Sequence, residues 1–480
     1  MNFIKLFALR IGLVSTTNII IGLSGLILFP ILTKNLTIDD YGTWVLVMAT
    51  VGMLAPNLNL GMEAAVMRFL GVHKTKPDKQ ECFYSIFFFG LFINVSIIFI
   101  LFLLNKPFSD IVLNGQVHFI TVALFITLFE SLYTICQTFF KSMQRFKKFS
   151  VFSILLNYGG IAVVGFSLIS GYGLLVALIS FGLVRLFLIL IMLYFILADI
   201  GIIIPAFSRL KEYLLFSTPA LVGNISMAVI GLSGTYLIGY YLGTSFVGYY
   251  SPAYTIGGLI LMLMAPFNVL LLPILTKLYD TDDYHGIGTY LKYTLKCFLI
   301  LAIPATFGLI LLSKEVLTIL STSEIASYSY FITPFVVVGL VLYGVSNVFT
   351  KIFFLTKKIF IGQGIIAMSA VITFGLNLVS IPRFGLIGAA VSTLLGYSIL
   401  LGLSVYFSRR YLKFGFELWF IVKSILASLM MSLFIMWFNP VGVLNIIFTV
   451  IVSVFIYTLS MISLKGFSKE DIDLLKSLRN

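Results

Sequence analysis

Charge is what this sequence has least of. Of its 480 residues only 10% are Asp, Glu, Lys or Arg, against about a quarter in a typical soluble domain. So few charges cannot cover a water-exposed surface, which excludes a soluble enzyme, a nucleic-acid-binding module and a disordered chain. Histidine and cysteine are also sparse, with three of each. His73, His118 and His285 fall in loops or at the ends of apolar runs, without metal-ligand spacing. Cys82, Cys136 and Cys297 are an odd number and lie at or near predicted helices, so they read as packing residues and imply no disulfide framework. No Gly-x-x-x-x-Gly-Lys-Ser/Thr loop is present to cradle a nucleotide, so ATP hydrolysis is not expected. The sequence suggests no metal and no organic cofactor.

What fills the chain instead is apolar. Hydrophobic residues make up 60% of it and the mean hydropathy is +1.11. At about 20 apolar residues per crossing this is material for about 14 membrane spans. The 47 phenylalanines suit lipid-facing helices, since a β-barrel would alternate them with polar residues toward its lumen. The fold class expected is an all-α polytopic membrane protein. Met1 to Arg10, followed by a long apolar run without a small-residue cleavage site, reads as the start of an uncleaved first span. The apolar runs place spans at 11–33, 41–70, 83–104, 117–140, 150–169, 174–198, 213–241, 247–276, 290–312, 326–350, 359–381, 384–407, 418–437 and 441–464.

Basic residues give the orientation. The net charge is +13 and the pI near 9.4. With these spans, 26 of the 31 Lys and Arg fall on one side of the membrane, and Lys34, Lys106, Lys314 and Arg383 on the other. Arg185 alone lies deep within a span, while Arg68, Lys292, Lys296 and Lys423 fall just inside span ends and are counted with the adjoining side. Basic residues collect on the cytoplasmic side, so both termini are expected there, in a cell (inner) membrane. The excess of positive charge is a topology signal and implies no nucleic-acid partner. Loops on the other side are short, the longest being 105–116 and 313–325. They leave no place for the acidic outward loop that a membrane-embedded glycan polymerase or transferase would need.

The chain also repeats itself. Asn18, Gly25, Leu36 and Gly42 match Asn224, Gly231, Leu242 and Gly248 at an offset of 206 residues. Ala55-Pro56 matches Ala265-Pro266, and Lys141, Lys147 and Lys148 match Lys351, Lys357 and Lys358, at 210. Gly173-Leu174, Ala177 and Ser180 match Gly385-Leu386, Ala389 and Ser392 at 212. An ordered series with so little drift points to a duplication of six spans. An even number of spans makes the halves parallel, a transporter architecture with the substrate site between repeats. The domains expected are a lobe at 1–209, a lobe at 210–412, and an accessory helix pair with its tail at 413–480. Pro56 and Pro266 sit mid-span at matched positions, where a proline kink marks either a gate on the pathway or a packing bend.

Local motifs sharpen this. Asp40-Tyr41-Gly42-Thr43-Trp44, the run from Leu58 to Phe69 (with Leu60-Gly61 and Arg68-Phe69), and Val269-Leu270 leading to Pro273-Ile274-Leu275 are three such segments. With 14 spans, a six-plus-six repeat and cytoplasmic termini, the chain resembles the polysaccharide transporter branch of the MOP exporter superfamily, the Wzx-type flippases. The resemblance implies two MATE-like lobes and a flippase that carries a polyprenyl-diphosphate-linked oligosaccharide, such as an O-antigen unit, from the cytoplasmic to the outer leaflet. Its partners would be membrane lipids and the polymerase or glycosyltransferases of the same pathway, and its coupling ion H+ or Na+. The nearest alternative is a multidrug/cation antiporter of the same superfamily. Such proteins usually carry an acid in span 1, where this chain has Ser15-Thr16-Thr17-Asn18.

Ionisable groups inside spans are costly, about 2.5–3.5 kcal/mol each at mid-helix, and are therefore functional candidates. Glu130 and Arg185 both lie near the midplane of the first lobe, while their repeat counterparts are Leu340 and Tyr397. Arg185 could attract a substrate phosphate and Glu130 pair with it or carry a coupling proton. Equally, the two could form a structural pair joining spans 4 and 6. Glu63 and Arg68 lie near the cytoplasmic end of span 2. There Arg68 either snorkels to headgroups or, as the resemblance implies, receives a phosphate at the entrance. Asn18 and Asn224 could bond sugar hydroxyls or neighbouring helices. Lys423 reads as an interfacial anchor.

Overall fold

The computed structural model describes residues 3–72, 75–112, 115–415 and 417–466, with the backbone only for 3–11, 15, 108, 111–112, 268–270 and 273. His73 lies outside the described residues. The chain runs through helices α1 (Phe3–Asn35), α2 (Ile38–Leu58), α3 (Met62–Ala65), a π-helical turn (Val66–Leu70), α4 (Lys76–Leu103), α5 (Asn105–Val112), α6 (Val117–Ser142), α7 (Phe146–Ile169) and α8 (Gly173–Ile200). It continues through α9 (Leu210–Leu242), α10 (Thr244–Asp280), α11 (Tyr284–Leu320), α12 (Ser323–Ser329), α13 (Thr333–Leu355), α14 (Ile359–Ser408), α15 (Leu418–Phe438) and α16 (Val443–Ser463). Among the described residues 13 helices are long and apolar enough to cross a membrane.

The expected fourteenth span is inside α14. Fifty residues of straight helix would extend about 75 Å, more than twice a bilayer core of about 30 Å. The helix instead reverses at Gly385, whose φ of 59° and ψ of −137° suit a residue without a Cβ. Its two legs fold back on each other: the Ser380 and Ser392 hydroxyls are 2.6 Å apart and Ser380 Oγ donates to the Gly388 carbonyl. The α7–α8 hairpin is built the same way. Gly171 and Gly173, both at φ 78°, turn the chain, and the Ser167 and Ser180 hydroxyls meet at 3.3 Å. Ser180 and Ser392 are repeat counterparts at 212 and Ser167 and Ser380 are separated by 213, so the two hairpins share one design.

Helix starts follow ordinary capping chemistry. Thr37 Oγ1 accepts the Asp40 N–H at the start of α2, where Asp39 and Asp40 also suit the positive end of the helix dipole. Thr75 and Asp283 do the same for α4 and α11. Within the spans, Ser and Thr satisfy themselves by donating to a carbonyl one turn back, as Thr50 does to Leu46 and Thr127 to Ala123.

The run expected as one span over 41–70 is broken. Leu60 (φ 51°) and Gly61 (φ 71°) take left-handed conformations, so α2 stops at Leu58 and the chain re-enters helix as α3. A Cβ on Gly61 would lie 2.9 Å from the Ser217 carbonyl of α9, so the bare backbone lets these segments touch. Two short helices are not expected from the sequence: α5 lies in the 105–116 loop, and α12 starts at the end of the 313–325 loop and runs into the expected span 326–350, while α11 continues to Leu320.

The chain groups into two compact units, Met1–Ser251 with Ile359–Gly396, and Pro252–Lys358 with Tyr397–Asn480. In the first, α1 packs on α7, α7 on α8, and α6 on both α2 and α8, around a core that includes Phe83, Tyr133, Phe139 and Phe140. At their N-terminal ends α2 and α10 cross where Gly42 meets Thr244 and Gly248, with backbone against backbone. Asp39 fastens this crossing by accepting from the Thr244 and Ser245 hydroxyls. In the second unit α11 is the centre, packed against α13, α15 and α16 around Leu295, Phe298, Ile352 and Met461.

Candidate functional site

Helix α6 carries a polar stripe through the apolar core of the first unit. Glu130, Tyr133, Thr134 and Gln137 recur at i, i+3, i+4 and i+7, which sets them on one face. Glu130 lies 13 residues into the helix, about 20 Å along its axis, and Arg185 12 residues into α8, about 18 Å. They meet at that depth: Arg185 Nε donates to Glu130 Oε2 at 2.5 Å. Arg185 Nη1 also donates to the Phe181 carbonyl at 3.0 Å, and its guanidinium lies 3.9 Å from the centre of the Phe181 ring. The Arg185 side chain is 9% exposed and that of Glu130 23%, so the carboxylate is the more accessible partner. The structure therefore joins the two residues that the sequence placed near the midplane. Two of the five guanidinium N–H donors are committed here.

Below the pair the stripe divides. Gln137 Nε2 donates to the Tyr133 hydroxyl and to Ser153 Oγ of α7, and Thr17 of α1 donates to Ser150 at 2.8 Å on that helix. On the other side Thr134 leads to a second cluster at the break after α2. Asn59 Nδ2 lies 2.7 Å from Glu63 Oε1, 2.9 Å from the Ser131 carbonyl and 3.1 Å from Thr134 Oγ1. Asn94 of α4 donates to Asn59 Oδ1 at 3.0 Å, and its own Oδ1 is buried with no hydrogen-bond partner among the described residues. Glu63 is thus drawn into a network with α4 and α6 that the sequence reading did not foresee. Asn59, Asn94, Thr134, Tyr133 and Gln137 were all missed. The stripe spacing on α6 was the one signal that could have found three of them.

The remaining candidates are scattered. Arg68 sits exposed on the π-helical turn, Asn18 is half-buried on α1, and Asn224 is exposed on α9. Pro56 lies two residues before the end of α2, next to the break, whereas Pro266 lies within the uninterrupted α10. The side chains of Val269, Leu270 and Pro273 lie outside the described residues.

The second unit has a different polar centre. Glu417, just before α15, binds Lys292 at 2.6 Å and Lys296 at 3.0 Å, both on α11. The two lysines lower the carboxyl's pKa below the usual glutamate value, the Lys292 contact contributing most. Lys296 also lies 5.1 Å from the centre of the Phe420 ring. The clamp fixes the start of the accessory helices to α11, and Lys423 of α15 ties that end to the residues after α16 by donating to the Lys465 carbonyl at 2.9 Å.

A bundle of long apolar helices with a charge pair at mid-depth defines a polytopic α-helical membrane fold, and known structures share it. The lipid II flippase MurJ in an inward closed conformation superposes with a TM-score of 0.77 over 94% of this chain and 98% of its own, at 16% identity. A multidrug resistance MATE transporter of the MOP superfamily, inward-facing, gives 0.68 over 82% and 94%, also at 16% identity. By sequence, residues 31–330 match the family described as "Polysaccharide biosynthesis protein", and the chain belongs to that family. It is also 21% identical to a probable low-salt glycan biosynthesis flippase, Agl15 of Haloferax volcanii, over 52% of this chain and 53% of that protein. The chain spans between 35% and 53% of the length of the curated relatives it matches.

Proposed function

We propose that this protein is a flippase that moves a polyprenyl-diphosphate-linked oligosaccharide from the cytoplasmic to the outer leaflet of the cell membrane, for the assembly of a surface glycan. One observation carries the reading: a chain of a polysaccharide biosynthesis family has the fold of the lipid II flippase MurJ and of MATE transporters. The naming of a relative as a glycan biosynthesis flippase supports it. The six-span repeats at 1–209 and 210–412 would alternate access, with both termini in the cytoplasm and the lipid tail left in the bilayer. Glu130 and Arg185 supply charge at the depth the diphosphate must cross, and Glu63 and Arg68 lie nearer the cytoplasmic start of that path. A diphosphate carries about two negative charges, and an inside-negative potential drives each outward by about 2.3 kcal/mol per 100 mV. The potential alone would then set direction, unless H+ or Na+ travels with the substrate.

The test is reconstitution. Vesicles containing the protein and a polyprenyl-diphosphate oligosaccharide with a fluorescent sugar should expose the label to an external quencher faster than protein-free vesicles do. Equal rates would overturn the proposal. Proton-driven extrusion of an organic cation by the same vesicles, without flipping, would replace it with multidrug antiport, the activity class of the MATE neighbour.

A further inference from the structure

The end of α14 forms a basic groove that the transport reading does not use. Gly402, Val405, Tyr406, Arg409, Arg410 and Lys413 line a space of about 630 Å³. Their spacing puts them on one side of the helix and the turn that follows it. Gly402 leaves the floor open, since a Cβ there would meet nothing within 4 Å. Arg409, Arg410 and Lys413 are all exposed, and none forms an ion pair among the described residues. The nearest acid in sequence, Glu417, is already held by Lys292 and Lys296.

One of these cations is held in place. Arg410 Nη2 donates to the Tyr406 hydroxyl at 2.7 Å, and the guanidinium lies 4.8 Å from the centre of the Tyr406 ring and 5.2 Å from that of Phe407. This uses one of its five N–H donors and leaves four in a fixed fork, suited to two oxygens of one phosphate. The repeat shows that the fold does not require the charge. Positions 212 residues earlier, at the end of α8, hold Leu197, Ala198 and Gly201. Three close cations with no counter-ion among the described residues, above an apolar floor at the end of a membrane span, match a lipid: an anionic headgroup over an acyl chain.

We infer that Arg409, Arg410 and Lys413 bind the phosphodiester of an anionic glycerophospholipid, whose chain lies along Gly402 and Val405. The site is on the face that carries the excess of basic residues, where the accessory helices join α14. It is independent of the proposed transport activity.

The full-length protein in phosphatidylcholine nanodiscs would be titrated with spin-labelled phosphatidylglycerol and the bound fraction measured. Wild type should bind the lipid saturably and prefer it to labelled phosphatidylcholine. R409Q/R410Q/K413Q should bind it roughly a hundredfold more weakly, at about 1 kcal/mol per cation. R409K/R410K, which keeps the charge but loses the fork, should fall between, and provides a readout if the triple variant folds poorly. K147Q/K211Q, which removes two exposed cations elsewhere on the same face, should bind like wild type. An equal loss in K147Q/K211Q would reduce the effect to general surface charge and overturn the site. So would wild-type binding by the triple variant, or no preference over phosphatidylcholine in wild type. Displacement of the lipid by inorganic phosphate at comparable concentration would assign the groove to a soluble anion and overturn the lipid reading.

Discussion

Helices α6 and α13 occupy matching places in the two repeats, yet their chemistry differs. On α6, Glu130 pairs with α8, Gln137 bonds α7, and Thr134 bonds α3 and Asn59 at the break after α2. On α13 the corresponding residues are Leu340, Gly344 and Asn347, and the partners change with them. Tyr397 stands where Arg185 does, its ring 5.3 Å from that of Tyr343, and a Cβ on Gly344 would run into Phe298. One pair survives in both halves, Tyr133 with Gln137 and Tyr343 with Asn347. Asn59, Glu63 and Asn94 correspond to Val269, Pro273 and Pro304. The duplicated scaffold thus stands in one copy without the mid-depth charges, so those charges are not what the architecture requires.

The sharpest way to break this comparison is to give the first repeat the residues of the second. Glu130→Leu with Arg185→Tyr should reach the membrane at near wild-type abundance and lose flipping. Glu130→Leu alone should lower abundance, because an unpaired guanidinium in that site costs about 3 kcal/mol. Normal flipping by the double variant would make the pair structural. Quantitative membrane blots and the vesicle assay read both results.

A smaller effect is expected at Glu417, where the second unit keeps its charge. Its carboxyl titrates lower folded than unfolded, so its contribution is fully present above the usual glutamate pKa and is lost as pH falls through the lowered one. Glu417→Gln should lower the thermal midpoint near neutrality and flatten its acid dependence. The amount is at most about 1 kcal/mol, since a carboxylate 37% exposed is screened by solvent. Equal acid slopes in variant and wild type would remove the clamp from the stability of this unit.

The smallest effect probes what the halves share. Ser167→Ala and Ser380→Ala should each cost about 0.5–1 kcal/mol, one hydrogen bond, and by the same amount. Thermal midpoints that differ clearly would show that the two hairpins are not equivalent.

Charge in an apolar run is legible because nothing else in the run resembles it. Glu130 and Arg185 could be matched by depth before any contact was known. The duplication was legible for a related reason, since a hairpin glycine and its serine recur at a fixed offset. Asn59, Asn94 and Thr134 were not, because neutral polar residues are common in these spans and most bond only to their own helix, as Thr127 and Thr138 do. What separates Thr134 from Thr127 is the neighbour on another helix. The stop at Leu60–Gly61 was hidden because hydropathy records what side chains prefer and carries no trace of backbone dihedrals. Lys292 and Lys296 read as topology signals, and only the fold brings Glu417 to them from 121 residues away.

The crossing of α2 and α10 at Gly42 and Gly248 has a mechanical meaning. The helices touch through bare backbone at Gly42, beside the Ile38 side chain set against Gly248. The contact thus acts as a close pivot that Asp39 and Tyr41 keep from sliding by accepting from Thr244, Ser245 and Ser251. Asn59 is 17 residues beyond Gly42, an arm of about 25 Å. A swing of roughly 10° about the pivot carries the far end of that arm about 4 Å, more than the length of a hydrogen bond. The cluster of Asn59, Glu63 and Thr134 is therefore placed where a small rotation at one membrane face becomes a make-or-break displacement at the other.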